Sequence, residues 1–163
     1  MVHALILTKL DNYNSLLIGI SGTLKYRLQL IQNNAARLIT KTKKSDNISR
    51  VLKKLHWLPI SFRIEFKVLA LCYQSLNDLA PSYMSSMLSY RDEPADRCTV
   101  RNDELLLLKV PKTRLTTHGD RAFSVYGPTL WNNLPLDLRL SSSVDCFKKE
   151  LKTRLFKKAF NHC

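Results

Sequence analysis

"ISFRIEFKVLALCYQSL", residues 60–76, decides the fold. Read at 3.6 residues per turn, it carries two apolar stripes. Ile64, Val68, Leu71 and Cys72 form one; Phe62, Phe66, Leu69, Tyr73 and Leu76 form the other. A helix apolar over that much of its circumference packs on more than one side, so 60–76 is predicted to be the central helix of a mainly α protein. In the preceding "HWLPI", Pro59 stops any upstream helix and suits the first turn of this one. "LNDLAPSY" (76–83) ends it, and Pro81 opens a short helix carrying Tyr83, Met84, Met87 and Leu88.

Upstream, "LKYRLQLIQNNAARLIT" (24–40) also has a helical period. Leu24, Leu28, Ile31, Ala35, Leu38 and Ile39 are expected on its buried face, with Lys25, Arg27 and Arg37 off that stripe. Lys41, Lys43 and Lys44 follow at the helix end, where cations suit the dipole. Ser45 or Asp46 is predicted to cap a second helix. Its apolar face is Ile48, Val51, Leu52 and Leu55; Arg50, Lys53 and Lys54 face water.

Downstream, "RDEPADRCTVRNDE" (91–104) reads as a charged linker, and "LLLLKV" (105–110) as a short strand stopped by Pro111. The last helix is expected to start at Ser142 or Ser143. Val144, Phe147, Leu151 and Leu155 form its inner face, with Lys148, Lys149, Lys152, Arg154, Lys157 and Lys158 outside. The expected organisation is a basic helical region over 1–90, a charged linker over 91–104, and a C-terminal α+β segment over 105–163 that ends in a basic helix. The fold class is mainly α with a small extended element near residues 105–116.

Charge narrows the partners. The chain has 163 residues, with 26 Lys and Arg against 13 Asp and Glu, for a net charge of +13. So basic a balance favours a polyanion, nucleic acid before an anionic membrane. Between Lys25 and Lys54 nine cations face one acid, Asp46. The candidate phosphate-binding residues are therefore Lys25, Arg27, Arg37, Lys41, Lys43, Lys44, Arg50, Lys53 and Lys54, joined by Lys148, Lys149 and Lys152. Solvated helix faces would carry the same charges. The longest uncharged run, 12–24, falls short of the ~18 residues of a membrane span, so no membrane partner is expected. "MVHALILTKL" lacks a basic segment ahead of its apolar patch and is read as part of the fold. The expected setting is intracellular, nucleus or cytoplasm, and the four cysteines, in no CxxC pair, are expected to be free thiols.

Reactive constellations are not evident. His3, His56, His118 and His162 are scattered, and no GxSxG, GxGxxG or GxxxxGK[ST] motif occurs. "YRDE" (90–93) superficially resembles a polymerase Tyr-x-Asp-Asp motif. Two-metal catalysis needs a further fixed acid, and these acids open a charged linker before Pro94. No cofactor, metal or enzymatic activity is expected. Trp57, Phe62, Phe123, Tyr126 and Trp131 are base-stacking candidates, but sit among aliphatics at core spacings. In "GDRAFSVYGPTLWNNLP" (119–135), Gly119 reads as a turn, Asp120 as a helix cap or a partner of Arg121, and Phe123, Val125, Leu130 and Trp131 as inward. Pro128 and Pro135 are expected to interrupt the backbone.

Four segments in order carry a family resemblance: "LQLIQNNAARLIT" (28–40), "LKKLHWLPISFRIEFKVLALCYQSLNDLAPSYMSSML" (52–88), "VPKTRLTTHGDRAFSVYGPTLWNNLP" (110–135) and "FKKELKTRLF" (147–156). Together they resemble the C-terminal region of jockey-like non-LTR (LINE-type) retrotransposon polyproteins, downstream of the reverse transcriptase core. The resemblance runs from about His3 to Phe160. Within it, "LDNYNSL" (10–16) departs from the family's Leu-Asp-Tyr-Cys-Asn-Ser-Leu run. The resemblance implies a non-catalytic piece of an RNA-directed DNA polymerase polyprotein, since the family's Phe-Ala-Asp-Asp type motif lies upstream of the region matched. It implies at most template-primer binding. The alternative is a basic helical protein-interaction module with no enzymatic role.

Overall fold

The structure is a computed structural model and describes residues 8, 11, 14–91, 106–114 and 119–160. The described residues are mainly helical and contain no sheet. The α-helices are α1 (Gly22–Thr40), α2 (Ile48–Lys54), α3 (Ile60–Leu76), α4 (Ser82–Ser85), α5 (Phe123–Asn132), α6 (Leu136–Arg139) and α7 (Val144–Phe160). One-turn 3-10 helices span Asn14–Leu17 and Gly119–Arg121. Of the expected linker, only Arg91 lies within the described residues.

Local chemistry sets the starts. The Ser21 hydroxyl accepts from the Leu24 N–H at 3.4 Å and caps α1. α2 is capped by Asn47, whose Oδ1 accepts from the Ser49 N–H at 2.9 Å, and not by Ser45 or Asp46. The Asp46 carboxylate instead takes the Lys43 N–H at 3.0 Å inside the loop. Pro59 sits just ahead of α3, where its missing N–H costs nothing and its carbonyl accepts from Arg63 N. Ser143 caps α7 through the Cys146 N–H at 3.2 Å.

The helix ends use residues other than glycine. Lys41, His56 and Asp78 have φ of 53°, 54° and 55°, the left-handed region usually left to glycine at a helix C-terminus. After α2, the Trp57 N–H reaches Leu52 O and the His56 N–H reaches Lys53 O, closing a Schellman motif around His56.

The chain divides into two compact units. One comprises Met1–Lys67 with Lys152–Cys163; the other is Val68–Leu151. In the first unit, Ala35 and Ala36 of α1 pack with Val51, Leu52, Trp57 and Phe160, and with half-buried Ile48, Leu55, Phe156 and Ala159. The α1 face differs from the expected one. Its buried positions are Gln32, Ala35 and Ala36, whereas Leu24, Ile31, Leu38 and Ile39 are exposed. Small alanines let α1 approach its neighbours closely. Gln32 is anchored by its Nε2 donating to Leu58 O at 2.8 Å, and Gln29 Oε1 accepts from Ile60 N at 2.9 Å. These bonds hold a polar face inward that hydrophobic periodicity alone turns outward.

In the second unit, Val68, Leu69, Cys72 and Tyr73 of α3 are buried, as the central-helix prediction requires. Tyr73 stacks on Phe147 with ring centroids 4.4 Å apart, and Trp131 lies 5.9 Å from Phe147. The Tyr73 hydroxyl donates to Ser141 O at 2.6 Å. Phe147 and Leu151, the part of α7 in this unit, are buried as expected; Leu155, in the first unit, is buried too. The extended element is a single antiparallel bridge, Tyr90 to Leu108, with Arg91 N donating to Leu107 O and Lys109 N to Ser89 O. Asn132 clamps it: its Oδ1 accepts from Leu108 N at 2.8 Å and its Nδ2 donates to Leu108 O at 2.9 Å.

Pro128 does not interrupt the backbone. It lies inside α5 and is buried with Gly127 and Trp131. Nor does Asp120 cap a helix; its carboxylate accepts from the Thr113 hydroxyl at 2.6 Å. A Cβ on Gly127 would come within 2.8 Å of the Cys72 sulfur, so glycine there permits the close approach of α5 to α3.

Candidate nucleic-acid interface

Most of the predicted phosphate-binding cations share one compact unit. Lys25, Arg27, Arg37, Lys41, Lys43, Lys44, Arg50, Lys53, Lys54 and Lys152 lie in the first; Lys148 and Lys149 lie in the second. Arg27, Lys41, Lys43, Lys44, Arg50, Lys53, Lys54, Lys149 and Lys152 are exposed, while Lys25, Arg37 and Lys148 are half-buried.

Three elements present this charge in the first unit. On α2, Arg50 lies one turn before Lys53 and Lys54, so all three share a helix face opposite buried Val51 and Leu52. The loop between α1 and α2 carries Lys41, Lys43 and Lys44. On α1, Arg27 is exposed beside Tyr26, itself 64% exposed.

Arg37 has a different role from its neighbours. Its guanidinium donates to the Lys43 carbonyl and, at 3.1 Å, to the Asp46 carbonyl. It holds the lysine-bearing loop in place, so it positions charge more than it presents it. Asp46, the acid within this stretch, is tied to the Lys43 N–H. Farther along, Lys158 is engaged at 3.7 Å with Glu65 and sits 5.7 Å over the Phe62 ring.

The stacking candidates separate by burial. Trp57 is buried in the first core and Trp131 in the second, its indole N–H donating to Leu106 O at 2.9 Å. Phe62, Phe123 and Tyr126 are half-buried. Among the described residues, Tyr26 is an exposed aromatic with a cation on either side, Lys25 and Arg27, and it is not among the stacking candidates named from the sequence.

Thiol chemistry is divided. Cys72 and Cys146 are both free; Cys146 is exposed and Cys72 is buried, with its thiol pushed up to about 12 by desolvation. Among the described residues, no group of three or more His, Cys, Asp or Glu is placed to hold a metal ion. Among them, too, no helix is long and apolar enough to cross a membrane. His3, His118, His162, Cys98, Cys163, Asp92 and Glu93 lie outside the described residues. No known protein family, curated protein or solved structure matches the chain.

Proposed function

We propose that this chain is a non-catalytic C-terminal piece of a LINE-type reverse transcriptase polyprotein that binds the backbone of RNA or DNA. The observation that carries the binding role is the exposed cation set Arg27, Lys41, Lys43, Lys44, Arg50, Lys53 and Lys54 in one compact unit. Phosphate contact needs such a surface and no reactive group. Arg37 pre-forms the loop that carries three of the lysines, and Tyr26 offers a ring to an unpaired base. The family assignment rests on the order of the four quoted segments. Filter binding of single-stranded RNA and DNA at two salt concentrations tests the binding role. Affinity falls as salt rises if the lysines release counterions; affinity indifferent to salt, or absent at low salt, removes it.

A protein-interaction module is the alternative, and one observation favours it. Leu24, Leu30, Ile31 and Leu38 of α1 are exposed, 67% in the case of Leu38. Recovery of an acidic protein partner after nuclease treatment, with no salt-sensitive nucleic-acid binding, selects that role.

A further inference from the structure

The outward side of α1 is ordered in lines. Leu24, Ile31 and Leu38 recur every seven residues, close to two helical turns, so they stack along one edge of the helix over about 21 Å. They are 48%, 48% and 67% exposed. Three residues on, Arg27, Asn34 and Lys41 repeat at the same spacing, and all three are exposed. Exposed Tyr26 and Leu30 lie beyond that polar line. The core contacts of α1 are made by Gln32, Ala35 and Ala36, so burial in this fold does not account for the line of Leu24, Ile31 and Leu38.

Spacing and charge identify what covers such a face. An apolar line repeating at seven residues fits a second helix crossing at a shallow angle, and the polar line beside it sets the charge that helix must carry. A bilayer surface asks for one continuous apolar sector, whereas Arg27 and Asn34 divide Leu24, Ile31 and Leu38 from Tyr26 and Leu30. A second copy of α1 is disfavoured by charge. No acidic residue occurs from 12 to 45, so two copies set cation against cation in either orientation. The net charge of +13 adds to that repulsion.

We propose that this face of α1 docks an amphipathic helix of another protein, apolar at every seventh position and carrying Asp or Glu beside that line, opposite Arg27 and Lys41. Neutral Asn34, midway between them, asks for no charge from the partner. The docking face rests on the protein-interaction reading above and not on the nucleic-acid one; it adds the partner's chemistry and the residues that receive it.

The probe is a synthetic peptide of three heptads with Leu at the first and fourth positions and Glu flanking them. Repulsion between its glutamates keeps it from pairing with itself. Binding to the full chain is followed by fluorescence anisotropy at fixed salt. Saturable binding is expected with this peptide, binding weaker by about ten-fold or more with its Lys-flanked counterpart, and none with a Glu-flanked peptide whose leucines are replaced by Ser. Ile31→Ser with Leu38→Ser weakens the first peptide by about ten-fold, since two half-exposed side chains no longer become buried, and leaves salt-sensitive RNA binding unchanged. Arg27→Glu with Lys41→Glu reverses the preference between Glu and Lys flanks. Circular dichroism follows the fold of each variant. Should one fail to fold, the Ile31 methyl signals of the unaltered protein replace it; they shift with the first peptide and not with the leucine-free one. Absence of binding, or equal binding of the Glu- and Lys-flanked peptides, overturns the proposal. Equal binding of the leucine-free peptide also overturns it, reducing the contact to charge while the acidic-partner reading stands. Dimerisation of the chain in analytical ultracentrifugation that the Ser variant loses assigns the face to a second copy instead. Flotation with phosphatidylserine vesicles that the Ser variant loses, without peptide binding, assigns it to a lipid surface.

Discussion

Gly127 shows how one missing carbon governs packing. A Cβ there would meet the buried Cys72 sulfur at 2.8 Å, and Cys72 has no exposed route of retreat. Gly127→Ala is expected to destabilise by about 1–3 kcal/mol, the usual cost of overpacking, measured by urea unfolding. Cys72→Ala in the same chain relieves the clash, so the double variant loses less than the two single losses added. Cys72 has a second consequence. Burial pushes its thiol up to about 12 from the ordinary 9.0, so the folded state keeps a proton that the unfolded chain releases. The sign follows from linkage: the contribution of Cys72 to stability is whole below pH 9 and declines as pH rises from there toward 12. A variant retaining only Cys72, with Cys98, Cys146 and Cys163 replaced by Ser, is expected to show no thiolate absorbance at pH 9.5 until denatured.

At the scale of elements, α3 and α7 were legible because their apolar residues repeat at helical spacing over four turns or more and are in fact inside. The buried face of α1 was not. Its contacts are made by Gln32, Ala35 and Ala36, and a buried glutamine leaves no hydrophobic signature. Leu24, Ile31 and Leu38 are already in water, so Ile31→Ser with Leu38→Ser is expected to change stability by no more than about 0.5 kcal/mol per site in thermal melts. Ala36→Leu, at a position with no exposure, costs about 1–3 kcal/mol. α5 was hidden by Pro128, which reads as a breaker. The helix forms through it because Gly127, Pro128 and Trp131 are buried, and tertiary packing outweighs one withheld backbone bond. Helix ends were equally obscure, since Lys41, His56 and Asp78 stand where glycine would announce them. The cations of the candidate interface were readable one by one. That Arg37 clamps the loop was not, because its acceptors are the carbonyls of Lys43 and Asp46, fixed only once the loop is folded.

For the molecule as a whole, a net charge of +13 is the dominant fact, and it lends itself to a quantitative test. Binding that depends on counterion release has an affinity that falls linearly with salt on logarithmic axes, with a slope set by the number of phosphates neutralised. Each surface lysine lost lowers that slope by about 0.7 on single strands. Arg37→Ala is expected to lower affinity by releasing the loop, an effect separate from any direct contact. The most direct measurement is filter binding of a single-stranded RNA across a salt series, with the unaltered chain and with Lys43→Ala, Lys44→Ala, Lys53→Ala and Lys54→Ala combined. A phosphate-binding surface on α1 and α2 predicts a steep negative slope that becomes distinctly shallower in the combined variant while the fold, followed by circular dichroism, is retained. An unaltered slope and affinity in that folded variant would contradict it.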